Sequence, residues 1–299
     1  MKIIEIETKD INLSSYPDIN LVMGFFDGVH LGHQQMINKA LKEGDVGVMT
    51  FDISPTYALG KDLKYSQITS LFDKANILKG LGVKYLFILR TTKELLNLSK
   101  DEFIEKILLP ISPKKIFVGS DYHFGKNAEG NAESLKEKFN VEIHELVAIN
   151  GIKISSRYIR QLISDGDMLA VKTYLGRPYQ LTGLVVEGWH NGRKIGFPTA
   201  NLDLTYPYVL PKVGVYSGYA KLLGKRYKAL ISMSTHPTIM ALNDPIIEVH
   251  ILDFSDDLYG KEIEVEFIEY MREIVKFPST NELAEQLTKD VQYVKGHLK

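Results

Sequence analysis

The sequence predicts two domains of different fold class: an α/β domain with a parallel sheet, then a small antiparallel β-barrel or sandwich with a terminal helix. Two observations lead to this prediction. The first half alternates short apolar runs with amphipathic helical stretches, whereas residues 179 to about 272 are mainly strand-like runs separated by turn residues. The 299 residues are enough for two domains. We place their boundary at the LGRPY segment, which gives residues 1–178 and 179–299.

The strands of the first domain are predicted from five short apolar runs: NLVM, GVMTF, KYLFIL, KKIFVG and VEIHELVAI. Several runs are apolar on both faces, as in a parallel sheet covered by helices. Between them, HQQMINKALKEG places its apolar residues on one helical face, and we expect that helix to end at Gly44. A second helix is predicted in SKDEFIEKILL, where Ser99 and Glu102 have the spacing of a capping box.

The second domain shows the period of two that is typical of half-buried strands. In KEIEVEFIEY, apolar residues alternate with glutamates, and residues 223–225, Leu-Gly-Lys, predict a hairpin turn between two further strands. One helix then ends the chain. Ser279 and Glu282 have capping-box spacing at its start, and an apolar stripe runs from Leu283 to Val294.

Composition excludes several classes of function. Lys and Arg number 36 and Asp and Glu 37, a formal net charge of -1, so no strong basic field indicates nucleic-acid binding. The absence of cysteine excludes disulfides, thiolate metal sites and cysteine nucleophiles. No run approaches the roughly 18 apolar residues of a membrane span, and the acidic start MKIIEIETKD does not resemble a signal peptide. We expect a cytoplasmic protein without nucleic-acid or membrane partners, and the sequence predicts no particular oligomeric state.

The segment MGFFDGVHLGH, residues 23–33, is the strongest candidate site in the first domain. It joins a predicted strand to a predicted helix, the position at which ligands bind in parallel sheets. Helix amides favour anions there, and glycines allow close approach of the backbone to a phosphate. His30 and His33 would share one face of the first helical turn and could donate hydrogen bonds to phosphate oxygens. The alternatives are a surface turn with two incidental histidines, or a metal pair for which no third ligand is evident.

At these residues the chain resembles the prokaryotic bifunctional riboflavin kinase/FMN adenylyltransferases, the FAD synthetases. The resemblance spans nearly the whole chain through motifs in the family's order. In the first domain these are GFFDGVHLGHQQMI, MTFD, VGSDYHFGKNAEGN and ISSRYIRQLISDGD. In the second they are LGRPY, GRKIGFPTANL, LPKVGVY, IIEVHILDF and LYGKEIEVEF. The resemblance implies a Rossmann-like nucleotidyltransferase domain followed by a riboflavin kinase-like β-barrel.

For the first domain, the resemblance implies that AMP is transferred from ATP to FMN, giving FAD and pyrophosphate. His30 and His33 match the catalytic positions, and Asp121 matches a flavin-facing position. The positions that match nucleotide-binding residues are Gly24, Phe26, Asp27, Gly32, Ser155, Ser156 and Arg160. From the residues alone, Ser156 also fits an ordinary helix cap and Asp121 an ordinary loop residue.

For the second domain, the resemblance implies ATP-dependent phosphorylation of riboflavin to FMN with Mg²⁺. Glu248 matches the catalytic carboxylate, which would accept the proton of the ribityl hydroxyl. Thr199 and Asn201 match ligands for ATP and Mg²⁺, with Thr199 as the metal ligand. From the residues alone, Glu248 also fits a solvent-facing strand glutamate.

The chain departs from the family pattern at four positions. Ser54 replaces a histidine and Arg157 a threonine in the first domain. Ser232 and Ser234 replace an asparagine and a glycine in the second, and loss of the glycine could forbid a positive φ. These departures keep two alternatives open: an FMN adenylyltransferase with a degenerate kinase domain, and a flavin-binding regulatory protein. Another nucleotidyltransferase would fit the first half of the chain but would leave the second unexplained.

Overall fold

The computed structural model describes residues 1–9, 14–60, 66–145, 147–187, 192, 195–235 and 245–299, apart from the side chains of Thr235 and Pro245. They form two compact units: residues 1–65 with 69–155, and residues 66–68 with 156–299. The boundary between catalytic domains at residue 178 stays a prediction. Within the described ranges, no helix has the length and apolar character needed to cross a lipid bilayer.

The first unit is built on a six-stranded parallel sheet. From edge to edge its strands are β1 (Lys2–Ile6), β4 (Tyr85–Leu89), β3 (Val46–Phe51), β2 (Asn20–Met23), β5 (Lys115–Gly119) and β8 (Val141–His144). Two short antiparallel pairs accompany it: β6 (His123–Phe124) with β7 (Gly130–Asn131), and β9 (Ala148–Ile149) with β10 (Ile152–Lys153). The predicted parallel α/β fold is confirmed, although edge strand β1 was not predicted.

Helices cover both faces of this sheet. They are α1 (Leu31–Lys42), α2 (Pro55–Ala58), α3 (Leu71–Gly80), α4 (Lys93–Leu96), α5 (Lys100–Phe103), a π-helical turn (Ile104–Leu108), α6 (Leu109–Ile111) and α7 (Ala132–Leu135). Alternate strand residues enter different apolar clusters: Leu21 and Met23 enter one, and Val22 enters another together with Met36 and Ile37 of α1. The sheet is therefore buried on both sides, as its continuous apolar runs predict.

Helix ends in this unit follow the predicted capping. The Ser99 Oγ accepts a hydrogen bond from the Glu102 amide at 3.1 Å, and the Glu102 carboxylate accepts one from the Ser99 amide at 3.0 Å. The capping box at the start of α5 is thus confirmed. Helix α1 ends at Lys42, shortly before the predicted stop at Gly44.

The direction in which the chain crosses the sheet reverses between β2 and β5. From β2 the order continues to β3 on one side, and from β5 to β8 on the other. Val22 pairs with Phe117 in parallel register, so the carboxyl ends of both strands lie at the same edge. Ligands bind in the crevice at such a switch point. The loop from Gly24 to His30 and the turn at Asp121 leave the sheet there.

The second unit begins with helices α8 (Ser156–Asp165) and α9 (Met168–Leu175) and continues as a closed antiparallel barrel. In the order in which they pair, its strands are β11 (Tyr179–Val186), β12 (Ala200–Leu204), β15 (Pro245–Ile251), β14 (Lys225–Thr235), β13 (Gly214–Leu222) and β16 (Glu262–Arg272). The structure is a barrel rather than a sandwich. Strand β12 was not predicted, because it begins at the end of the motif GRKIGFPTANL and is short and partly polar.

The hairpin turn and the terminal helix of this unit are as predicted. Leu223 and Gly224 have φ angles of 50° and 73°, and Leu222 pairs with Lys225, which is a two-residue turn with positive φ at both positions. Helix α10 (Thr280–His297) begins after Ser279, whose hydroxyl accepts from the Glu282 amide. Its apolar stripe packs against barrel residues in one buried cluster.

An ion pair with a buried carboxylate links α10 to the barrel. Arg272 of β16 donates to Asp290 of α10 through Nη2 at 2.6 Å and Nε at 3.1 Å, and the Asp290 side chain is only 5% exposed. Asp290→Ala removes the charge-assisted hydrogen bonds of a partly buried guanidinium, which typically costs about 1–3 kcal/mol. We expect faster amide hydrogen exchange in α10, measured by mass spectrometry. The matched control is Lys295→Ala, which breaks an exposed pair with Asp253 and should cost less than about 1 kcal/mol. Equal exchange in the two variants would contradict this assignment.

Two candidate active sites

The loop after β2 has an unusual backbone. Phe26 and Val29 have φ angles of 54° and 41°, in the left-handed region, and Gly28 has a φ of 78°. Glycine adopts this conformation readily, but a β-branched residue such as Val29 does so only under strain. Strain of this kind persists where surrounding contacts hold it, and it is concentrated at functional sites. The loop ends at His30, where α1 begins.

Two glycines, one in the loop and one in the first turn of α1, make room for neighbouring rings. A Cβ atom on Gly24 would lie 2.9 Å from the Phe26 ring, and one on Gly32 would lie 3.3 Å from the His30 ring. Close approach of the backbone to a phosphate is one reason for glycine at these positions, and the neighbouring rings provide a packing reason for both. Because the Phe26 ring is buried in the apolar cluster beside α1, any nucleotide contact from Phe26 comes from its backbone. Asp27 is likewise buried.

The structure brings His30 and His33 together. Their rings are stacked with centroids 3.5 Å apart and an interplanar angle of 13°. The His30 Nδ1 accepts a hydrogen bond from the His33 amide at 3.3 Å, so His30 is the N-cap of α1, and in its neutral form its proton lies on Nε2. Within the described part of the chain, the buried Nδ1 of His33 has no hydrogen-bond partner.

The surroundings of the histidine pair disfavour a positive charge on His33. The pKa of His33 lies well below its usual value, mainly because the side chain is buried. The neighbouring His30 and the positive charge of Lys74 lower this pKa further. His33 is therefore neutral at physiological pH. A neutral imidazole stacked on His30 at a helix N-terminus can donate a hydrogen bond to an anion through its protonated ring nitrogen.

The other predicted residues of the adenylyltransferase site lie in the turn after β5 and at the start of α8. Asp121 is exposed in the turn that follows β5, at the switch-point edge of the sheet. Ser155 directly precedes α8, Ser156 is its first residue and Arg160 lies one turn further on. Arg157, which departs from the family pattern, is exposed. The predicted helix start in ISSRYIR is confirmed, and the phosphate-binding role of its residues stays a prediction.

The end of β3 carries a network of polar side chains. The Asp52 carboxylate accepts hydrogen bonds from the Thr91 amide at 2.9 Å, the Thr91 hydroxyl at 2.6 Å and the Ile53 amide at 2.8 Å. Burial raises the pKa of Asp52, but the hydrogen bonds from Thr91 and Ile53 outweigh it and the net shift is downward. Ser54, which replaces a histidine of the family pattern, is the N-cap residue of α2 and shares a 2.7 Å hydrogen bond with Thr56.

The second unit contains two cavities that share Thr199. The larger has a volume of about 520 Å³ and mostly apolar walls that include Phe277, with Glu248 on one side. The smaller has a volume of about 160 Å³ and is bordered by the turn that carries Asp256 and Asp257. An apolar cavity with few polar groups suits a flat aromatic ligand. Thr199 lines both cavities.

Glu248 occupies a row of residues that runs across the barrel strands. It pairs with Asn201 of β12 on one side and with Ser232 of β14 on the other. Its neighbours Ile247 and Val249 are fully buried and point to the opposite face of the strand. Burial raises the pKa of Glu248 above its usual value, which makes the carboxylate a stronger base than an exposed glutamate. The structure thus places Glu248 beside Asn201. The catalytic role of Glu248 and the ligand role of Asn201 stay predictions.

The two serine departures lie in regular strand. Both Ser232 and Ser234 belong to the β14–β15 ladder, opposite Glu248 and Ile246. Neither has a positive φ. The concern that loss of glycine at position 234 forbids the backbone conformation therefore does not apply. His236, Pro237 and Thr238, the end of this motif, lie outside the described residues.

Comparison with known proteins identifies both halves of the chain. The family model for FAD synthetase matches residues 14–158, and that for riboflavin kinase matches residues 175–298. A curated protein from Listeria monocytogenes, described as bifunctional riboflavin kinase/FMN adenylyltransferase, is 36% identical over 296 residues, with 94% of each chain covered. One of the same description from Bacillus subtilis is 34% identical, covering 91% of this chain and 90% of the relative.

The chain belongs to the bifunctional riboflavin kinase/FMN adenylyltransferase family. The resemblance seen in the sequence motifs is thereby confirmed. A crystal structure described as a macrolide-efflux protein from Streptococcus pneumoniae has a TM-score of 0.89 and 33% identity, and 99% of each chain is covered. That description applies to the other protein, and the likeness shows a shared fold.

Several polar residues near the family's motifs were missed by the sequence analysis. Lys74 of α3 is 1% exposed and contacts the loop after β2. A signal existed, because Lys74 lies in the apolar stripe between Leu71 and Leu78, where a lysine is unexpected. His250 is a second case: its Nδ1 lies 2.8 Å from the Pro198 carbonyl, beside the loop that carries Thr199. That contact joins distant segments and leaves no local signal.

Proposed function

We propose that this chain makes FAD in two steps: it phosphorylates riboflavin to FMN in the second domain and transfers AMP from ATP to FMN in the first. The observation that carries the proposal is that one chain of this family has both sets of groups. The stacked His30–His33 pair lies at a helix start, and Glu248 lies beside an apolar cavity. Both agree with the enzyme described by the curated relatives.

In the adenylyl transfer, a phosphate oxygen of FMN attacks the α-phosphorus of ATP and pyrophosphate leaves. FMN is largely dianionic near neutral pH, since the second pKa of a phosphate monoester is about 6. The nucleophile therefore needs no base, and catalysis consists of positioning and charge stabilisation. His30, His33 and the amides at the start of α1 stabilise the developing negative charge. The triphosphate is bound by Ser155, Ser156 and Arg160. The nucleotide is surrounded by the loop residues Gly24, Phe26 and Asp27 together with Gly32 of α1. Asp121 faces the flavin.

In the kinase reaction, the ribityl hydroxyl of riboflavin attacks the γ-phosphorus of ATP and ADP leaves. An alcohol is a poor nucleophile until its proton is accepted, and Glu248 accepts it. The isoalloxazine ring occupies the larger cavity, and the nucleotide occupies the smaller cavity on the other side of Thr199. Mg²⁺ bound with ATP would neutralise phosphate charge. The neutral oxygens of Thr199 and Asn201 suit this ion, which commonly keeps phosphate and water ligands as well.

The main alternative is an FMN adenylyltransferase whose barrel has lost kinase activity. Serines at positions 232 and 234 motivate this alternative. Their regular strand conformation, together with the position of Glu248 between Asn201 and Ser232, favours an active kinase. A flavin-binding regulatory protein is a third possibility, and the intact catalytic residues argue against it. The cytoplasmic location and the absence of a nucleic-acid partner stay predictions.

Incubation of the chain with FMN, ATP and Mg²⁺ tests the adenylyltransferase directly. We expect one pyrophosphate for each FAD formed, with FAD resolved by chromatography and pyrophosphate by a coupled enzyme assay. Thermal stabilisation by FMN and ATP without any product would instead favour the regulatory protein.

The kinase should depend on pH through Glu248. The carboxylate accepts a proton only when ionised, and its pKa is raised by burial. Activity should therefore be lost on acidification at a higher pH than the usual glutamate value of about 4.3 implies. The measurement is kcat/KM for riboflavin at saturating Mg²⁺–ATP across pH. The residual activity of Glu248→Gln should lack this pH dependence. A pH profile of that variant identical to the wild-type profile would contradict the assignment of Glu248 as the base.

A further inference from the structure

Lys74 is buried beneath the loop that carries the histidine pair. Its Nζ donates to the carbonyl oxygen of Phe25 at 2.6 Å and to the Thr50 hydroxyl at 3.2 Å, and its side chain is almost fully buried. Both oxygens are neutral. Burial of an ammonium group is unfavourable unless its hydrogen bonds and charge are compensated, so a structural or functional gain must offset it here.

The contacts of Lys74 belong to a set that fixes the strained turn. The Thr50 hydroxyl also donates to the Phe25 carbonyl, at 2.9 Å, and the Thr69 hydroxyl accepts from the Gly28 amide at 3.1 Å. The Lys74 ammonium lies 4.5 Å from the centre of the Phe25 ring. These contacts come from β3, from the segment before α3 and from α3 itself. They flank Phe26 and Val29, whose positive φ angles need external support.

Charged and titratable groups on three parts of the fold interact electrostatically with Lys74. Asp27 of the loop and Asp52 at the end of β3 act on it electrostatically, and Lys74 in turn acts on His33 of α1. Burial lowers the pKa of Lys74 to about 8, although Asp27 and Asp52 oppose this effect. The lysine is thus mainly protonated at neutral pH and loses its charge in mildly alkaline solution.

We propose that Lys74 is a positioning residue for adenylyl transfer: by holding the Phe25 carbonyl it fixes the strained turn that orients His30 and His33 at the start of α1. The inference rests on the proposed adenylyltransferase function. Lys74 acts through the loop, and its positive charge also favours the neutral form of His33. A lysine that merely filled space would need neither its charge nor its hydrogen bonds.

The test compares Lys74→Met with Lys79→Met, a matched change at an exposed lysine of the same helix. Methionine keeps the length of the side chain and removes the charge and the donors. Displacement of catalytic groups by about 1 Å can cost about 10²-fold in rate. We expect a loss of that size in kcat for FAD formation in Lys74→Met and no loss in Lys79→Met. Equal kcat values in the two variants would overturn the proposal.

A pH profile separates positioning by a charged lysine from simple packing. In the wild type, kcat/KM for ATP in FAD formation should fall as pH rises past about 8, where Lys74 loses its proton. Thr50→Val keeps the shape of the side chain but removes one hydrogen bond to Phe25 and one acceptor of Lys74. It should lower kcat by a smaller factor than Lys74→Met and keep the loss of activity at alkaline pH. This milder variant keeps the test decisive if Lys74→Met does not fold. If kcat/KM did not fall above about pH 8 in either the wild type or Thr50→Val, the proposal would be contradicted. If the wild type made no FAD, the proposed function would be contradicted instead.

Discussion

Replacing both His30 and His33 by alanine is expected to lower FAD formation from FMN by at least about 10³-fold. Removal of one hydrogen-bond donor that stabilises a transition state commonly costs about 10²–10³-fold in kcat. Here two stacked imidazoles with centroids 3.5 Å apart are lost at the start of α1. The measurement is the initial rate of FAD formation by chromatography. Phosphorylation of riboflavin by the same variant should remain at the wild-type rate, because its groups lie in the other unit.

Loss of stability must be separated from loss of chemistry in this variant. His30 caps α1, and replacing a good N-cap with alanine costs about 1 kcal/mol. His30→Asn provides the matched control, since an asparagine side chain can accept the same amide hydrogen bond but has no imidazole. We expect His30→Asn to keep its thermal stability and to lose FAD formation. A folded double-alanine variant with unchanged FAD synthesis would show that neither histidine takes part in the mechanism.

Glu248→Gln is expected to lower riboflavin phosphorylation by about 10²–10⁴-fold, the usual contribution of a positioned general base. The amide keeps the shape and the place beside Asn201 and Ser232 but cannot accept the proton. FAD formation from supplied FMN should be unchanged. The measurement is FMN produced from riboflavin with Mg²⁺–ATP.

Glu262→Gln serves as the control for a charge change in the barrel. Glu262 is an exposed glutamate on β16, and its replacement should leave both reactions unaltered. A Glu248→Gln variant that phosphorylates riboflavin as fast as Glu262→Gln would show that the proton is accepted elsewhere.

Much of the fold could be predicted from sequence because its helices and strands follow the local periodicity of apolar residues. The apolar face of α1 and the alternation in β16 both appear as expected. Strand β1 was missed because its KIIEI pattern lies at an edge, with three exposed residues. The closed barrel, as opposed to a sandwich, depends on the pairing of β11 with both β12 and β16, which local periodicity does not determine.

The candidate sites were predictable in part for the same reason. His30 and His33 lie three residues apart at a helix start, so their proximity follows from helix geometry. Lys74 was missed because it reaches Phe25, 49 positions away in sequence, through tertiary packing. Similarly, Asn201 and Glu248 are placed side by side by strand register, which joins segments distant in the chain.

A time course of the whole chain with riboflavin, ATP and Mg²⁺ tests the two-step synthesis most directly. Flavins are separated by chromatography, and ADP and pyrophosphate are measured in the same samples. We expect FMN to appear first and FAD to follow, with one ADP formed for each riboflavin consumed and one pyrophosphate formed for each FAD. A chain that converts supplied FMN to FAD but leaves riboflavin unchanged would contradict the bifunctional assignment and establish an adenylyltransferase with an inactive kinase domain.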